Sequence, residues 1–314
     1  MIELENISIE LGDFSLKNCS LTIRDNDYYV IMGPSGAGKT ILLELIAGIL
    51  TPDNGKISVD GKDIAKIPPE KRNIGIVYQD YALFPHMTVR ENICFGMKLK
   101  KIPKDEQQKR LNNLADQFGI SHLLERNAAT LSGGEAQRTA LARALAVEPK
   151  ILLIDEPFSA LDENTRKRCI ADMKKLHETG ITIVQITHSR EEADILATHL
   201  AVIINGTVAA EGTRDEVFSH PKDKITAEFV GFDNFFEREG KQYAIRSEDI
   251  ILEKSGTGIQ GTIISKVCRG AVIEYIVDAG YTIKAVMGKR EGNFSEGDSV
   301  FIRTADNAEI FLQR

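Results

Sequence analysis

Gly33-Pro34-Ser35-Gly36-Ala37-Gly38-Lys39-Thr40 is the stretch that decides how this chain is read. It satisfies G-x-x-x-x-G-K-[ST], following an apolar run from Tyr28 to Met32 and preceding an apolar, helix-like stretch from Thr40 to Leu50. Glycines let the loop wrap closely, so that backbone N–H groups can point inward at a polyphosphate. The helix beginning near Lys39 adds its partial positive end. Lys39 is placed to reach the β- and γ-phosphates, and the Thr40 hydroxyl to ligate Mg2+. Strand, loop and helix together predict a nucleotide-binding α/β fold.

Outward from the loop, residues 2–32 alternate apolar and polar positions (Ile2, Leu4; Ile7, Ile9, Leu11; Leu21, Ile23), which predicts short strands before the buried one. Strand-like patches follow at 56–59 and 74–78. Leu111, Leu114, Ala115 and Phe118 share one face of an amphipathic helix over 104–118. From Lys150 onward, apolar strands at 151–154 and 181–186 alternate with helical segments, the signature of a parallel sheet. Asn205-Gly206 between two apolar runs is a hairpin signal. Composition shifts near Gly231, beyond which short strands and Gly-rich turns predict a small, barrel-like β domain. The expected division is therefore 1–230 and 231–314, and the length of 314 residues agrees with about two domains.

Composition sets limits on function. Hydrophobic residues are 42% and charged residues 27%, an ordinary globular balance. The net charge of −7 weakens any reading as a non-specific nucleic-acid binder. Cys19, Cys94, Cys169 and Cys268 show no C-x-x-C spacing, so neither a zinc ribbon nor a disulfide framework is indicated. The N-terminus has acids where a signal peptide needs a basic region. The longest apolar stretch, 41–50, contains Glu44 and is too short to span a bilayer. Work at a membrane would need transmembrane helices from another subunit.

Two further stretches carry chemistry. Ile151-Leu-Leu-Ile-Asp155-Glu156-Pro157 is an apolar strand ending in two acids. Asp155 suits holding Mg2+, and Glu156 can take a proton from an attacking water as general base. Leu131-Ser132-Gly133-Gly134-Glu135-Ala136-Gln137-Arg138 has capping-box spacing between Ser132 and Glu135, which starts a helix running through Leu145. Two glycines after the cap leave helix N–H groups uncovered, an anion site. The plainer reading of each is two solvated acids and a well-capped helix.

The P-loop, LSGGEAQR, ILLIDEP, Ser159-Ala160-Leu161-Asp162 and Thr187-His188 stand here in the order of ABC-transporter ATPase subunits, and residues 1–230 resemble that family. The resemblance implies a P-loop nucleotidase core with an antiparallel β subdomain and a helical subdomain at about 80–145. It implies ATP and Mg2+ as cofactors, and a head-to-tail homodimer in which each ATP lies between one P-loop and the partner's LSGGE helix. Nucleotide contacts then fall to Gly33 through Thr40, Ser132, Gly133, Gly134, Gln137 and Asp162. Gln79 becomes the Q-loop residue between Mg2+ and the membrane subunit, with Thr40 and Asp155 completing the metal set. His188 becomes the switch histidine at the γ-phosphate. Many relatives stack an aromatic side chain on adenine where this chain has Leu11, with Phe14 nearby.

The C-terminal region resembles the TOBE-type regulatory fold of importer ATPases. Asp13-Phe-Ser-Leu, Leu43-Glu-Leu-Ile-Ala-Gly and Gln79-Asp-Tyr-Ala-Leu-Phe-Pro-His are most similar to the molybdate/tungstate importers. That resemblance implies ATP-driven import on transmembrane permease subunits at the cytoplasmic face of the membrane, fed by an extracytoplasmic substrate-binding protein, with no nucleic-acid partner. It also implies a regulatory oxyanion site, for which the β region offers Ser265, Lys266, Arg269, Arg303 and Thr304. Sulfate, iron, polyamine and sugar importers share the layout, and a soluble, non-transport ABC ATPase and the ATPase of an exporter are the remaining alternatives.

Overall fold

In a computed structural model describing residues 1–159, 161–306 and 308–312, the N-terminal alternation becomes β1 (Ile2–Leu11) and β2 (Phe14–Ile23). They pair antiparallel and turn Ile2, Leu4, Ile7, Leu16, Leu21 and Ile23 into the core. Every residue of β3 (Tyr28–Met32) is buried, as its unbroken apolar run requires. The glycine loop then leads into α1 (Lys39–Ala47), which ends earlier than expected. Gly48 closes it, and the Arg72 guanidinium donates to the carbonyls of Leu45 and Ile46, both at 2.8 Å.

β4 (Asn54–Val59) and β5 (Lys62–Asp63) complete an antiparallel sheet of order β2-β1-β4-β5. After β6 (Ile74–Val77) the chain forms three mutually packed helices, α2 (Val89–Leu99), α3 (Lys104–Gln117) and α4 (Gly133–Leu145). Then come β7 (Ile151–Asp155), α5 (Glu163–His177), β8 (Thr182–Thr187), α6 (Arg190–Leu196), β9 (His199–Ile204) and β10 (Thr207–Thr213). Their sheet has the order β10-β9-β3-β8-β7-β6, parallel except for β10, which returns through the Asn205-Gly206 turn. Core residues from both sheets and α1 form one apolar cluster.

The chain divides into compact units at Met1–Arg214 and Asp215–Arg314, ahead of the composition shift at Gly231. α7 (Arg214–Ser219) begins at that division, and α8 (Lys224–Val230) belongs to the second unit. Within it, β11 (Asn234–Arg238), β12 (Lys241–Ile245) and β18 (Ile310–Leu312) form a three-stranded sheet. β13 (Ile250–Glu253), β14 (Ile259–Arg269), β15 (Val272–Asp278), β16 (Thr282–Gly288) and β17 (Ser299–Thr304) form a five-stranded one, of order β13-β17-β14-β15-β16. Its edge strands β13 and β16 approach each other, which gives the expected barrel-like curl. Among the described residues, no helix is long and apolar enough to cross a membrane.

Candidate nucleotide site

β3, β8, β7 and β6 run parallel, so their C-terminal ends deliver the P-loop, His188, Asp155-Glu156 and Gln79 to one edge of the sheet. That edge is where open α/β sheets bind ligands. Phe14, Ser35, Gly36, Gly38, Lys39, Thr40, Ile41, Gln79, Asp155 and Glu156 line a single open cavity of about 480 Å³ there.

The loop can take its shape only with glycine at key points. Gly38, the residue before α1, sits at φ +99°, and a Cβ on it would lie 2.6 Å from the Phe14 ring. Lys39 is buried and folds back over the loop, its Nζ donating to Gly33 O at 2.9 Å and Pro34 O at 3.0 Å. Burial pulls the lysine below its usual range, against the opposing pull of Glu156 and Asp155. A polyanion held here would favour the charged lysine and take over its hydrogen bonds.

Thr40 Oγ1 donates to Asp155 Oδ2 at 3.0 Å, joining the start of α1 to the end of β7. Burial pushes the Asp155 carboxyl up; the Thr40 bond opposes the shift and neighbouring Glu156 adds to it. Two close oxygen donors with Gln79 on the same cavity wall fit a hard cation that takes its other ligands from phosphate and water. These residues therefore fit Mg2+.

Glu156 holds a left-handed backbone at φ +41°, with its N–H donating to Ile186 O at 3.0 Å. Such a conformation in a non-glycine residue costs about 1–3 kcal/mol and collects at functional sites. Its Oε1 stands 3.2 Å from Nδ1 of His188, whose ring is otherwise largely exposed. Gln79 Nε2 reaches Ser159 Oγ at 3.5 Å, and Ser159 Oγ donates to Glu156 O at 3.0 Å. Glu156, His188 and Gln79 are thus linked within one chain, the last through Ser159.

Other expected contacts are not in this cavity. At the N-terminus of α4, the Glu135 carboxylate accepts from Ser132 N at 2.8 Å and Ser132 Oγ at 2.9 Å. Gly133 and Gly134 follow on that helix end, away from the P-loop cavity. Asp162 caps α5, accepting from the N–H groups of Asn164 and Thr165 at 3.1 Å each. Ala160 of the same loop lies outside the described residues. Gln137, further along α4, is wholly buried, and neither of its side-chain polar atoms has a hydrogen-bond partner among the described residues.

Leu11 is exposed and does not line the cavity, whereas the half-buried Phe14 does. Phe14 opens β2 directly after the turn from β1, against Gly38.

In the second unit the expected oxyanion residues do not converge. Ile259 of β14 pairs with Ile302, next to Arg303 and Thr304, while Arg269 pairs with Val272 ten residues further along that strand. Each cation already has a partner. Lys266 Nζ donates to Phe294 O at 2.7 Å, Arg269 pairs with Glu274 at 3.0 Å, and Arg303 lies 3.6 Å from Glu253. Ser265 sits beside a bulge opposite Ile276.

The P-loop on its strand–helix junction, with Asp155 at the end of β7 two strands along the same sheet edge, defines a P-loop nucleotidase. A family model described as ABC transporter matches residues 16–159. The molybdate/tungstate import ATP-binding protein of Methanocaldococcus jannaschii is 42% identical over 311 residues, covering 99% of this chain and all of that relative. Its Pyrococcus horikoshii counterpart is 45% identical over 81% of this chain and 74% of the relative. A solved dimeric ATP-binding cassette in a post-hydrolysis state, bound to ADP and Pi, matches with a TM-score of 0.62 and 30% identity, over 68% of this chain and 99% of that one. The chain belongs to the ABC transporter family. It binds ATP, and its hydrolysis of ATP is coupled to transport.

Proposed function

We propose that this protein is the ATP-hydrolysing subunit of a molybdate/tungstate importer, acting as a homodimer on transmembrane permease subunits at the cytoplasmic face of the membrane. The observation that carries the catalytic part is the 3.2 Å contact of His188 with Glu156 beside a P-loop whose Lys39 and Thr40 face the same cavity. The substrate rests on the likeness to the archaeal import proteins.

In this reading the loop from Gly33 to Thr40 cradles the phosphates, and Lys39 exchanges its bonds to Gly33 and Pro34 for phosphate oxygens. Thr40, Asp155 and Gln79 would hold Mg2+, which would supply charge neutralisation of the phosphates. Glu156 takes the proton of the attacking water as its oxygen bonds to the γ-phosphorus and the bond to ADP breaks. His188 bridges Glu156 and the transferring phosphoryl group, and Phe14 supplies the apolar wall for the base.

Ser132, Gly133 and Gly134 serve the nucleotide of a second copy, since they stand outside their own chain's cavity at a helix N-terminus suited to an anion. Asp162 lies in the loop that would face that second copy. The segment from Gln79 to Arg90 meets the permease, with Phe84 and Met87 half-buried, Ala82 exposed and Tyr81 buried. An extracytoplasmic binding protein acts through the permease, and nucleic acid has no part. Of the second unit's candidate cations, Arg269 and Arg303 stand by carboxylates and Lys266 by neutral oxygens, and no oxyanion is assigned to them.

The test is the ATPase rate of the reconstituted permease complex against binding protein loaded with molybdate, tungstate, sulfate or a polyamine. Stimulation by the first two alone is expected. Stimulation by sulfate or polyamine instead would reassign the substrate and leave the ATPase reading standing.

A further inference from the structure

His188 stands on a turn between β8 and α6 whose own anchoring is buried and polar. Thr187, the last residue of β8, donates from Oγ1 to Glu192 Oε2 at 2.6 Å. Thr187 Oγ1 in turn accepts from Ser189 N at 3.0 Å, and Ser189 Oγ accepts from Glu192 N at 3.3 Å as the cap of α6. Both neighbours of His188 are thus tied, directly or through one atom, to Glu192. The chain of bonds continues inward: Gln185 Nε2 donates to Glu192 Oε2 at 3.3 Å, and Gln185 Oε1 accepts from the Tyr28 hydroxyl. Glu192 is 5% exposed, Thr187 2%, and Gln185 and Tyr28 are wholly buried.

The directions of these bonds are fixed by the donors available. Because Ser189 N–H already donates to Thr187 Oγ1, the Thr187 hydroxyl proton is free to point at Glu192. Glu192 Oε2 therefore accepts from both Thr187 and Gln185, one hydrogen bond to each of its lone pairs. A buried carboxylate is costly without such partners, and fully satisfied networks of this kind rigidify what they hold. What this one holds is the turn that presents His188 Nδ1 to Glu156 Oε1.

We propose that Glu192 is a positioning residue for ATP hydrolysis, fixing the Thr187-His188-Ser189 turn so that the imidazole stays on Glu156. It rests on the reading of His188 given above. Glu192 touches neither the cavity nor the nucleotide, so its effect passes entirely through His188. It should therefore govern turnover and leave nucleotide binding to the P-loop.

The experiment is a double-mutant cycle on the full chain assembled with its permease, measuring kcat and KM for ATP. Glu192→Ala should lower kcat about tenfold or more with KM changed less than about twofold, the pattern of an interaction needed in the transition state. Glu192→Gln keeps the volume and one oxygen acceptor for Thr187, and should recover most of that loss. In a His188→Ala background, Glu192→Ala should cost nothing further, because the turn then has no imidazole to place. Additive losses in the double mutant, or a Gln variant as impaired as the Ala variant, would overturn the proposal while leaving His188 in its role. Full activity of His188→Ala would overturn both.

Discussion

Replacing Gly38 with alanine tests the physical basis of the P-loop at its tightest point. At φ +99° an L-residue is strained, at about 1–2 kcal/mol by left-handed sterics. The added Cβ would also stand 2.6 Å from the Phe14 ring and 2.7 Å from Leu16, so both side chains must shift. Forced repacking of that kind costs about 1–3 kcal/mol, for a total of about 2–5 kcal/mol. At about 2–4 °C per kcal/mol for a domain of this size, the melting temperature should fall by about 4–20 °C. Gly36 supplies the control, since it too has a positive φ, +77°, but a Cβ there meets nothing within 4 Å. Gly36→Ala should show the backbone cost alone. Thermal unfolding of both variants, with fluorescent ATP-analogue binding alongside, separates strain from collision. Equal melting temperatures for the two variants, or unchanged nucleotide affinity in Gly38→Ala, would refute the role given to the Phe14 contact.

Arg72→Met should destabilise the first unit by about 1–3 kcal/mol for the Ile46 carbonyl left without its donor, since Leu45 O keeps the Gly48 N–H; a denaturant midpoint unchanged from the parent would contradict this cap. Lys39→Ala should weaken nucleotide binding itself, as calorimetry would show, because the phosphates lose their direct cation. A bulky residue at Ser132 should abolish ATP-driven dimerisation while single-chain binding persists. Mixing Ser132-mutant and Lys39-mutant chains should restore some dimer, since one of the two shared sites is then intact; size-exclusion chromatography with ATP reads the result, and a mixture that stays monomeric argues against shared sites.

Much of this architecture is legible in the sequence because its signals are local. The P-loop, the apolar strand ending in Asp155-Glu156 and the Asn205-Gly206 turn each need only their neighbours to be recognised. What escapes is decided by packing between distant segments. Phe14 gains its place from the approach of the β1–β2 turn to Gly38, which no periodicity encodes. Gln137 and Glu192 are polar residues on helices whose burial no local signal reveals, yet one is wholly buried and the other anchors the His188 turn. The five residues expected to hold an oxyanion are spread along the sheet, because β14 pairs with β17 at one end and β15 at the other, which separates Arg303 from Arg269. Charge spacing along a sequence does not reveal that register.

The central claim is that Glu156, poised on His188 in the P-loop cavity, is the general base for ATP hydrolysis. Single-turnover hydrolysis by Glu156→Gln in the assembled transporter tests it most directly, with bound ATP and dimer measured in the same sample. The account predicts intact ATP binding, accumulation of an ATP-bound dimer, and a rate lowered by about 10²–10⁴. Near-normal hydrolysis by that variant would contradict it.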